Sequence, residues 1–254
     1  MNIIHLCGGL GNQIFQYSFG KAQENNGIKV TFDVSWYNKR TRRVPRLYML
    51  DKFQTKVDKI DRMIQPVVKE NGFDHSLLKK DNHNFAGYWQ YVGYYENIKS
   101  LLNQQLVVKE IYYTEDYLKL RQAMIGKDII SIHVRRTDYL GDHGFGVLSL
   151  GYYLEALAHL QGDVYIFSDD IGWCRHYFKK EYFSRKLTFI HLPEYLDFEL
   201  MRLCTHNIIA NSTFSWWAAF LNNNPGKKVI APSGWLLEKK EDDDLYYPKD
   251  WLKI

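Results

Sequence analysis

From residue 128 onward, short unbroken runs of apolar residues alternate with longer stretches in which apolar positions recur every three or four residues. The short runs lie at 129–134, 164–167, 187–191, 208–210 and 229–231, and the helical spacing at 152–160, 173–178, 196–204 and 214–221. Side chains alternate across a strand and wind around a helix, so the first pattern marks buried strands and the second amphipathic helices. Strands separated by helices in this way predict a series of β-α-β units and a mainly parallel, doubly wound α/β sheet.

The amino-terminal half opens in the same manner. Residues 2–6 predict a strand, Gly8-Gly9-Leu10-Gly11-Asn12-Gln13 a turn, 14–23 a helix and 28–32 a second strand. From Trp36 to about Asn84 no period is maintained and no elements are assigned. A more apolar segment, Phe85-Ala86-Gly87-Tyr88-Trp89-Gln90, leads into a helix after Tyr94. A further helix at 114–125 stops at Gly126, a residue suited to the left-handed C-cap and to a domain boundary. The expectation is two α/β domains, 1–126 and 127–254, with the tail after Trp235 able to pack back on the first.

Composition narrows the class. A chain of 254 residues with 46% hydrophobic content buries a substantial core. Aromatic residues reach 16%, including 19 Tyr and 7 Trp, which suits either sugar stacking or Tyr-rich packing. A net charge of +4 with no nucleic-acid-binding motif argues against a nucleic-acid partner. Local charge is stronger: Lys39, Arg40, Arg42, Arg43 and Arg46 crowd one segment that would meet solvent, anionic lipid, an acidic glycan or phosphates. Cys7, Cys174 and Cys204 have no metal-type spacing and read as reduced thiols, which points to a cytoplasmic protein. The longest apolar run, 214–221, is far short of the ~20 residues of a membrane span, so membrane contact is expected to be peripheral at most. In that setting the sequon at Asn211 is expected to be unglycosylated.

The chemistry concentrates at strand ends. The run 129–134 delivers His133, Arg135, Arg136 and Asp138 together, and the planar donor fork of Arg matches two phosphate oxygens at once. In open parallel sheets ligands bind outside the carboxyl ends of the strands at a topological switch point. Two other strand ends carry polar clusters, Ser168-Asp169-Asp170 and Asn211-Ser212-Thr213-Phe214-Ser215, so neighbouring strands would bring all three to one crevice. Each cluster has a structural alternative: Arg135 and Asp138 as an ion pair, His133 as a core histidine, and the Asp, Ser and Asn residues as helix N-caps. The glycine turn followed by Asp33 opens a competing reading, an NAD- or FAD-dependent oxidoreductase. Against it, the glycines read G-G-x-G and Ile14 stands where a third small residue is needed. Ser168-Asp169-Asp170 and Asp242-Asp243-Asp244 mimic a metal-binding carboxylate set, but the reading preferred is that no metal is used.

Taken together, Gly8-Gly9-Leu10-Gly11-Asn12-Gln13, Gly87-Tyr88-Trp89-Gln90, His133-Val134-Arg135-Arg136-Thr137-Asp138-Tyr139 and Asn211-Ser212-Thr213-Phe214-Ser215-Trp216-Trp217 resemble glycosyltransferase family 11, the α-1,2-fucosyltransferases. The resemblance runs from residue 3 to about residue 232. It implies a GT-B fold of two Rossmann-like domains with the cleft between them, the second binding GDP-fucose and the first on the acceptor side. It further implies inverting transfer, without metal or other cofactor, to the 2-hydroxyl of a terminal galactose on a glycan of a surface polysaccharide or O-antigen. Carried over, Arg135 holds the β-phosphate and stabilises the leaving GDP. Asn12 lies near the departing oxygen, His133 and Asp170 contact guanine, and Thr213 to Trp216 hold the phosphates. Gly9, Gly11, Gln13, Asp169, Asn211 and Ser212 complete the expected donor contacts. Arg136 and Asp138 brace the loop. A base for the acceptor hydroxyl is sought among Asp138, Asp142 and His143, with a phosphate oxygen as the alternative. Trp36, Trp89 and Tyr94 are the expected acceptor platforms, Trp89 with a buried alternative. The short loop after Asp138 and the brief tail after Trp235 depart from the family and leave the acceptor open. A non-catalytic sugar-binding protein on the same scaffold is the third reading.

Overall fold

The computed structural model describes residues 1–38, 46–62, 64–140, 146–179, 185–235 and 243–254. They divide into two compact units, Met1–Lys109 and Glu110–Ile254, each built on a parallel sheet.

The first unit contains β1 (Asn2–His5), α1 (Leu10–Asn25), β2 (Val30–Asp33), β3 (Lys59–Ile60), β4 (Val68–Lys69), β5 (Asn84–Ala86) and α2 (Lys99–Gln105). The strand order is β3-β2-β1-β5-β4, with all four pairings parallel. The chain therefore switches direction across the sheet between β1 and β5. Val30 and Phe32 project toward α1, and close packing there depends on Gly20. A Cβ on Gly20 would lie 2.7 Å from the Phe32 ring. Asn2 donates to Gln23 of α1 at 2.9 Å and to the Lys80 carbonyl at 2.7 Å, which satisfies a buried polar side chain at the start of the central strand. In the stretch that shows no sequence period, β3 and β4 are two residues each. A strand that short displays no alternation.

The second unit contains α3 (Glu115–Met124), β6 (Ile129–Val134), α4 (Leu150–Ala158), β7 (Asp163–Ser168), α5 (Ile171–Tyr177), β8 (Leu187–Ile190), α6 (Glu194–Leu203), β9 (His206–Ile208), α7 (Thr213–Phe220), β10 (Val229–Ala231) and β11 (Leu252–Lys253). Its order is β11-β10-β9-β6-β7-β8, again wholly parallel. Every residue of β6 is buried. Ile130, Ile132 and Val134 join the core with Tyr153, Ala156 and Leu157 of α4, while Ser131 and His133 point to the opposite side. There Asn207 donates to Ser131 Oγ at 2.7 Å, and the His133 ring lies 5.3 Å from that of Phe214.

Two details differ from the sequence reading. The division falls at Lys109 rather than Gly126, because α3 packs on α6 and so belongs to the second unit. The tail is built into the second unit's own sheet. It adds β11 beside β10, with Ile254 donating to the Ala231 carbonyl and Ser233 donating to that of Ile254. Trp251 packs against Trp216 at 5.6 Å, so burial of aromatic surface holds the tail in place.

One buried carboxyl gives this unit a pH-dependent stability. Burial, reinforced by Glu194 and opposed by the Leu192 amide that donates to it, pushes Asp197 of α6 up to about 7. The folded form then binds more protons than the unfolded chain between about pH 4 and 7, so stability falls as pH rises through that window. Asp197→Asn removes the slope. The variant should match wild type at pH 5 and exceed it at pH 8 by on the order of 2 kcal/mol. Thermal unfolding of the two proteins at both pH values checks this, and parallel pH profiles would refute it.

Candidate functional site

In the second unit the sheet switches direction between β6 and β9, and the polar clusters meet at that edge. β6 and β7 pair in register up to Val134 and Ser168, which sets Arg135 and Arg136 beside Asp169 and Asp170. Asp169 clamps the loop: it accepts from the Arg136 amide at 2.9 Å, the Thr137 amide at 3.1 Å and the Thr137 hydroxyl at 2.5 Å. On the other flank Tyr139 donates its hydroxyl to the Asn211 carbonyl at 3.0 Å. The loop carrying the arginines is thus tied to both neighbouring strand ends.

Arg135 lies between two carboxylates. Its Nη2 donates to Asp138 Oδ2 at 2.5 Å, its Nε approaches Asp169 Oδ2 at 3.4 Å, and Tyr139 lies under the guanidinium at 5.6 Å. Burial weakens the charged form, but the two carboxylates more than compensate and hold the guanidinium above its ordinary value. Asp169 is buried as well, yet Arg135, the Thr137 hydroxyl and the Arg136 amide keep its carboxyl below the usual range. Arg136 braces the loop: its guanidinium stacks 4.0 Å above Trp173, with Nε 3.4 Å from Asp170 Oδ2. Asp170 caps α5, accepting from the Trp173 amide at 3.0 Å, so its oxygens serve the cap and this ion pair.

His133 is 3% exposed, and burial beside cationic Arg135, partly offset by Asp169, lowers it to about 3, so the imidazole is neutral. Its Nδ1 and the Oδ1 of buried Asn211 make no hydrogen bond among the described residues. Buried polar atoms without partners are rare and costly, and two occur here on adjacent strand ends. Ser212 is the N-cap residue of α7 but caps no amide with its side chain. The first-turn amides of a helix have no partner within it and favour an anion. Thr213 and Phe214 open this turn.

Ser215 and Trp216, two of the expected donor contacts, have their side chains engaged in the scaffold. Both side chains are fully buried. The Ser215 hydroxyl serves the Ala210 and Ser212 carbonyls, and Trp216 Nε1 donates to the Tyr246 carbonyl at 2.8 Å. Asp142 and His143, two of the three candidate bases, lie outside the described residues, as do Lys39, Arg40, Arg42 and Arg43 of the basic segment.

In the first unit the glycine turn also sits at the switch point. Gly8 takes φ 82°, and a Cβ there would meet Asn12 Nδ2 at 2.7 Å, so both backbone and space demand glycine. Gly9 is the N-cap residue of α1, and Gly11 is buried in its first turn. Asn12 Oδ1 accepts from Gln90 of the loop after β5 at 3.2 Å, which joins two of the sequence motifs. Gln13 requires correction: its buried amide donates to the Gly8 and Leu47 carbonyls and accepts from the Met49 amide, pinning the turn rather than meeting a ligand. Asp33 is committed likewise, to His5 Nδ1 at 2.6 Å and the Ser35 amide at 2.9 Å, which removes the carboxylate that a dinucleotide ribose would need.

Two expected acceptor platforms are also corrected. Trp89 is fully buried and stacks on Phe19 with centroids 4.2 Å apart, and Tyr94 is 2% exposed with edge-on contact to the same ring. Trp36, packed edge-on against Tyr37, is partly exposed.

Among the described residues, no three His, Cys, Asp or Glu side chains are grouped to hold a metal ion. Asp243 accepts from the Gly234 and Trp235 amides, and Asp244 pairs with Lys253. No described helix is long and apolar enough to cross a membrane.

The family model for glycosyl transferase family 11 matches residues 1–254. An α-1,2-colitosyltransferase of Escherichia coli is 29% identical over 99% of this chain and 98% of its own. The O-antigen biosynthesis glycosyltransferase WbnK of the same species is 29% identical over 91% and 93%. Among solved structures, the α-1,6-fucosyltransferase NodZ soaked with GDP-fucose superposes with a TM-score of 0.52 at 13% identity, covering 87% of this chain and 91% of that one. At that identity the likeness concerns the GT-B fold alone.

Proposed function

The chain belongs to glycosyl transferase family 11, and from that premise we propose that it is an inverting α-1,2-fucosyltransferase. It moves L-fucose from GDP-β-L-fucose to the 2-hydroxyl of a terminal galactose during O-antigen or surface polysaccharide synthesis. Arg135, fixed just past the end of the central strand β6, whose His133 packs against Phe214 in the first turn of α7, carries this reading. A charged fork at a helix amino terminus matches a diphosphate.

In this reading the β-phosphate takes the place of Asp138 on the Arg135 fork, and the α7 amides with Ser212 and Thr213 receive the remaining oxygens. The neutral His133 ring and the Asn211 side chain, each with an unsatisfied atom, serve the nucleoside. As the bond from C1 of fucose to the phosphate breaks, charge grows on GDP, and a preorganised guanidinium stabilises that state more than the ground state. No metal is assigned a role, because Arg135 supplies the positive charge. Asp138 is engaged by Arg135 before donor binds; once released it is a carboxylate near the reacting centre and the base candidate retained. The resemblance of the whole chain to a colitosyltransferase supports a second donor reading, colitosyl in place of fucosyl transfer at the same site. Work on a glycan of this kind would put the enzyme on the cytoplasmic side, with peripheral membrane contact.

Titration calorimetry with GDP and with NAD, each with and without EDTA, tests the donor site. Expected is GDP binding that EDTA does not weaken, and no binding of NAD. NAD binding without GDP binding would return the glycine turn to the dinucleotide reading. Transfer from GDP-fucose to a panel of galactosides tests the acceptor.

A further inference from the structure

The amino-terminal edge of the second sheet lies at the opposite end of its strands from the arginine loop, and it is basic. In the row β10-β9-β6-β7-β8, an exposed lysine stands within two residues of the start of every other strand: Lys228 before β10, Lys127 before β6 and Lys186 before β8. The sheet fixes all three backbones. The Thr205 hydroxyl donates to the Lys127 carbonyl at 3.4 Å, the Val164 amide to that of Lys186 at 2.9 Å, and the Asn207 amide to that of Lys228 at 3.1 Å. Neighbouring strands lie ~4.8 Å apart, so the three cations are spaced ~10 Å from one another along the row.

Two adjoining cavities widen this edge. One, of about 440 Å³, is lined by Arg121 and Ile125 at the end of α3, by Lys127, and by Leu203 at the end of α6. The other, of about 470 Å³, shares Lys127 and Asp128 with it and adds Arg185 and Lys186. The turn before β7 is pressed onto their common wall: Gly162 takes φ 131°, and a Cβ there would meet the Asp128 carbonyl oxygen at 2.5 Å. Arg185 Nη1 is buried and makes no hydrogen bond among the described residues, where a polar atom ordinarily has a partner. Charge along the edge is unbalanced, with Arg121, Lys127, Arg185, Lys186 and Lys228 set against Asp128 and Asp163. Large apolar side chains stand out among these cations, Ile125 being 68% and Leu203 39% exposed.

A free polyanion would account for the cations but not for the apolar side chains held out beside them. An anionic bilayer accounts for both, because head-group phosphates attract lysine and arginine while the acyl boundary takes up aliphatic groups. We propose that the amino-terminal edge of the second sheet docks on an anionic lipid surface, its lysines and arginines meeting head-group phosphates and Ile125 and Leu203 entering the interface. The inference extends the transferase reading, on which its purpose rests, by giving the membrane contact a definite surface, and it uses none of the residues assigned to the donor.

Co-sedimentation of the full chain with vesicles of phosphatidylcholine alone, and with vesicles containing about a quarter phosphatidylglycerol, tests the surface at physiological salt. Wild type should bind the anionic vesicles and not the neutral ones. Lys127→Gln, Lys186→Gln and Lys228→Gln should each lower the vesicle partition coefficient about fivefold, and together by on the order of 100-fold. Ile125→Ser combined with Leu203→Ser should lower it about tenfold while leaving retention on heparin unchanged. Thermal unfolding and GDP affinity should match wild type in every variant, which separates docking from folding and from the donor site. Absence of binding by wild type would overturn the inference, as would binding to anionic vesicles that survives the triple substitution. Vesicle binding indifferent to Ile125→Ser and Leu203→Ser would overturn it in favour of a soluble polyanion. Failure of the transferase reading looks different, because GDP would then not bind, whatever the vesicles show.

Discussion

Replacing Arg135 by alanine is expected to lower kcat/KM for sugar transfer by about 10²- to 10³-fold, the range seen when one preorganised stabiliser of a developing anion is removed. GDP affinity should fall with it, because the same fork holds the diphosphate before and during bond cleavage. Arg135→Lys is the sharper comparison. It keeps the positive charge, but lysine is a point charge on a flexible stem and cannot present two parallel donors to neighbouring oxygens. The lysine variant should therefore recover little of the rate. Steady-state kinetics and GDP calorimetry on both variants decide the matter. An alanine variant with near wild-type rate and GDP affinity would reduce Arg135 to a structural partner of Asp138 and Asp169. Thermal unfolding must accompany these measurements, because removing the cation leaves two partly buried carboxylates facing each other.

The second large effect concerns stability. Trp216 lies in the motif that the sequence associates with phosphate binding, yet its ring stacks on Phe220 at 4.8 Å and packs against Trp217 and Trp251. Its indole N–H holds the Tyr246 carbonyl of the tail. Trp216→Ala should cost about 3–5 kcal/mol, as expected for truncating a buried aromatic, and should loosen the tail that forms β11. Trp216→Phe preserves most of the ring volume and loses the hydrogen bond, a cost of about 1–2 kcal/mol. At a temperature where the phenylalanine variant is folded, its GDP affinity should equal that of wild type. Urea denaturation and GDP titration separate the two roles. A folded Trp216→Phe protein with GDP affinity lost would restore this residue to the donor site.

The residues expected to meet an acceptor followed a different logic from those expected to meet a donor. Trp89 looks like a platform because tryptophan is large and stands in a motif, but a left-handed backbone at that position sends the ring into the core and leaves its smaller neighbour outside. Tyr94 is buried for a related reason, since its ring completes the cluster around Phe19. Neither outcome has a signal in residue type or spacing. The one available hint was Gly87, whose lack of a side chain marks close approach of other atoms, here Glu70 and Trp89.

Much was nevertheless legible without coordinates. Hydrophobic runs long enough to show a period identified β6 to β10 and their connecting helices, because burial on both faces imposes apolar residues in unbroken series. The placement of charged residues immediately after those runs identified the sheet edge at which the polar clusters meet, because a polar cluster cannot be sustained within a buried strand. The sequence by itself thus determined the α/β class, the parallel second sheet, the family resemblance and the convergence of His133, Arg135, Asp169 and Asn211. Only the tertiary structure decided which of the motif residues face outward and which serve the scaffold. Gln13, Asp33, Ser215, Trp216 and Trp89 are all spent on partners far away in the chain or on local backbone groups. Tertiary contacts alone also drew the short strands β3, β4 and β11 into their sheets and set α3 with the second unit. The physical reason is common to all of these: local pattern reports how a residue relates to its own element, whereas burial, hydrogen-bond satisfaction and strain depend on what the rest of the fold brings against it.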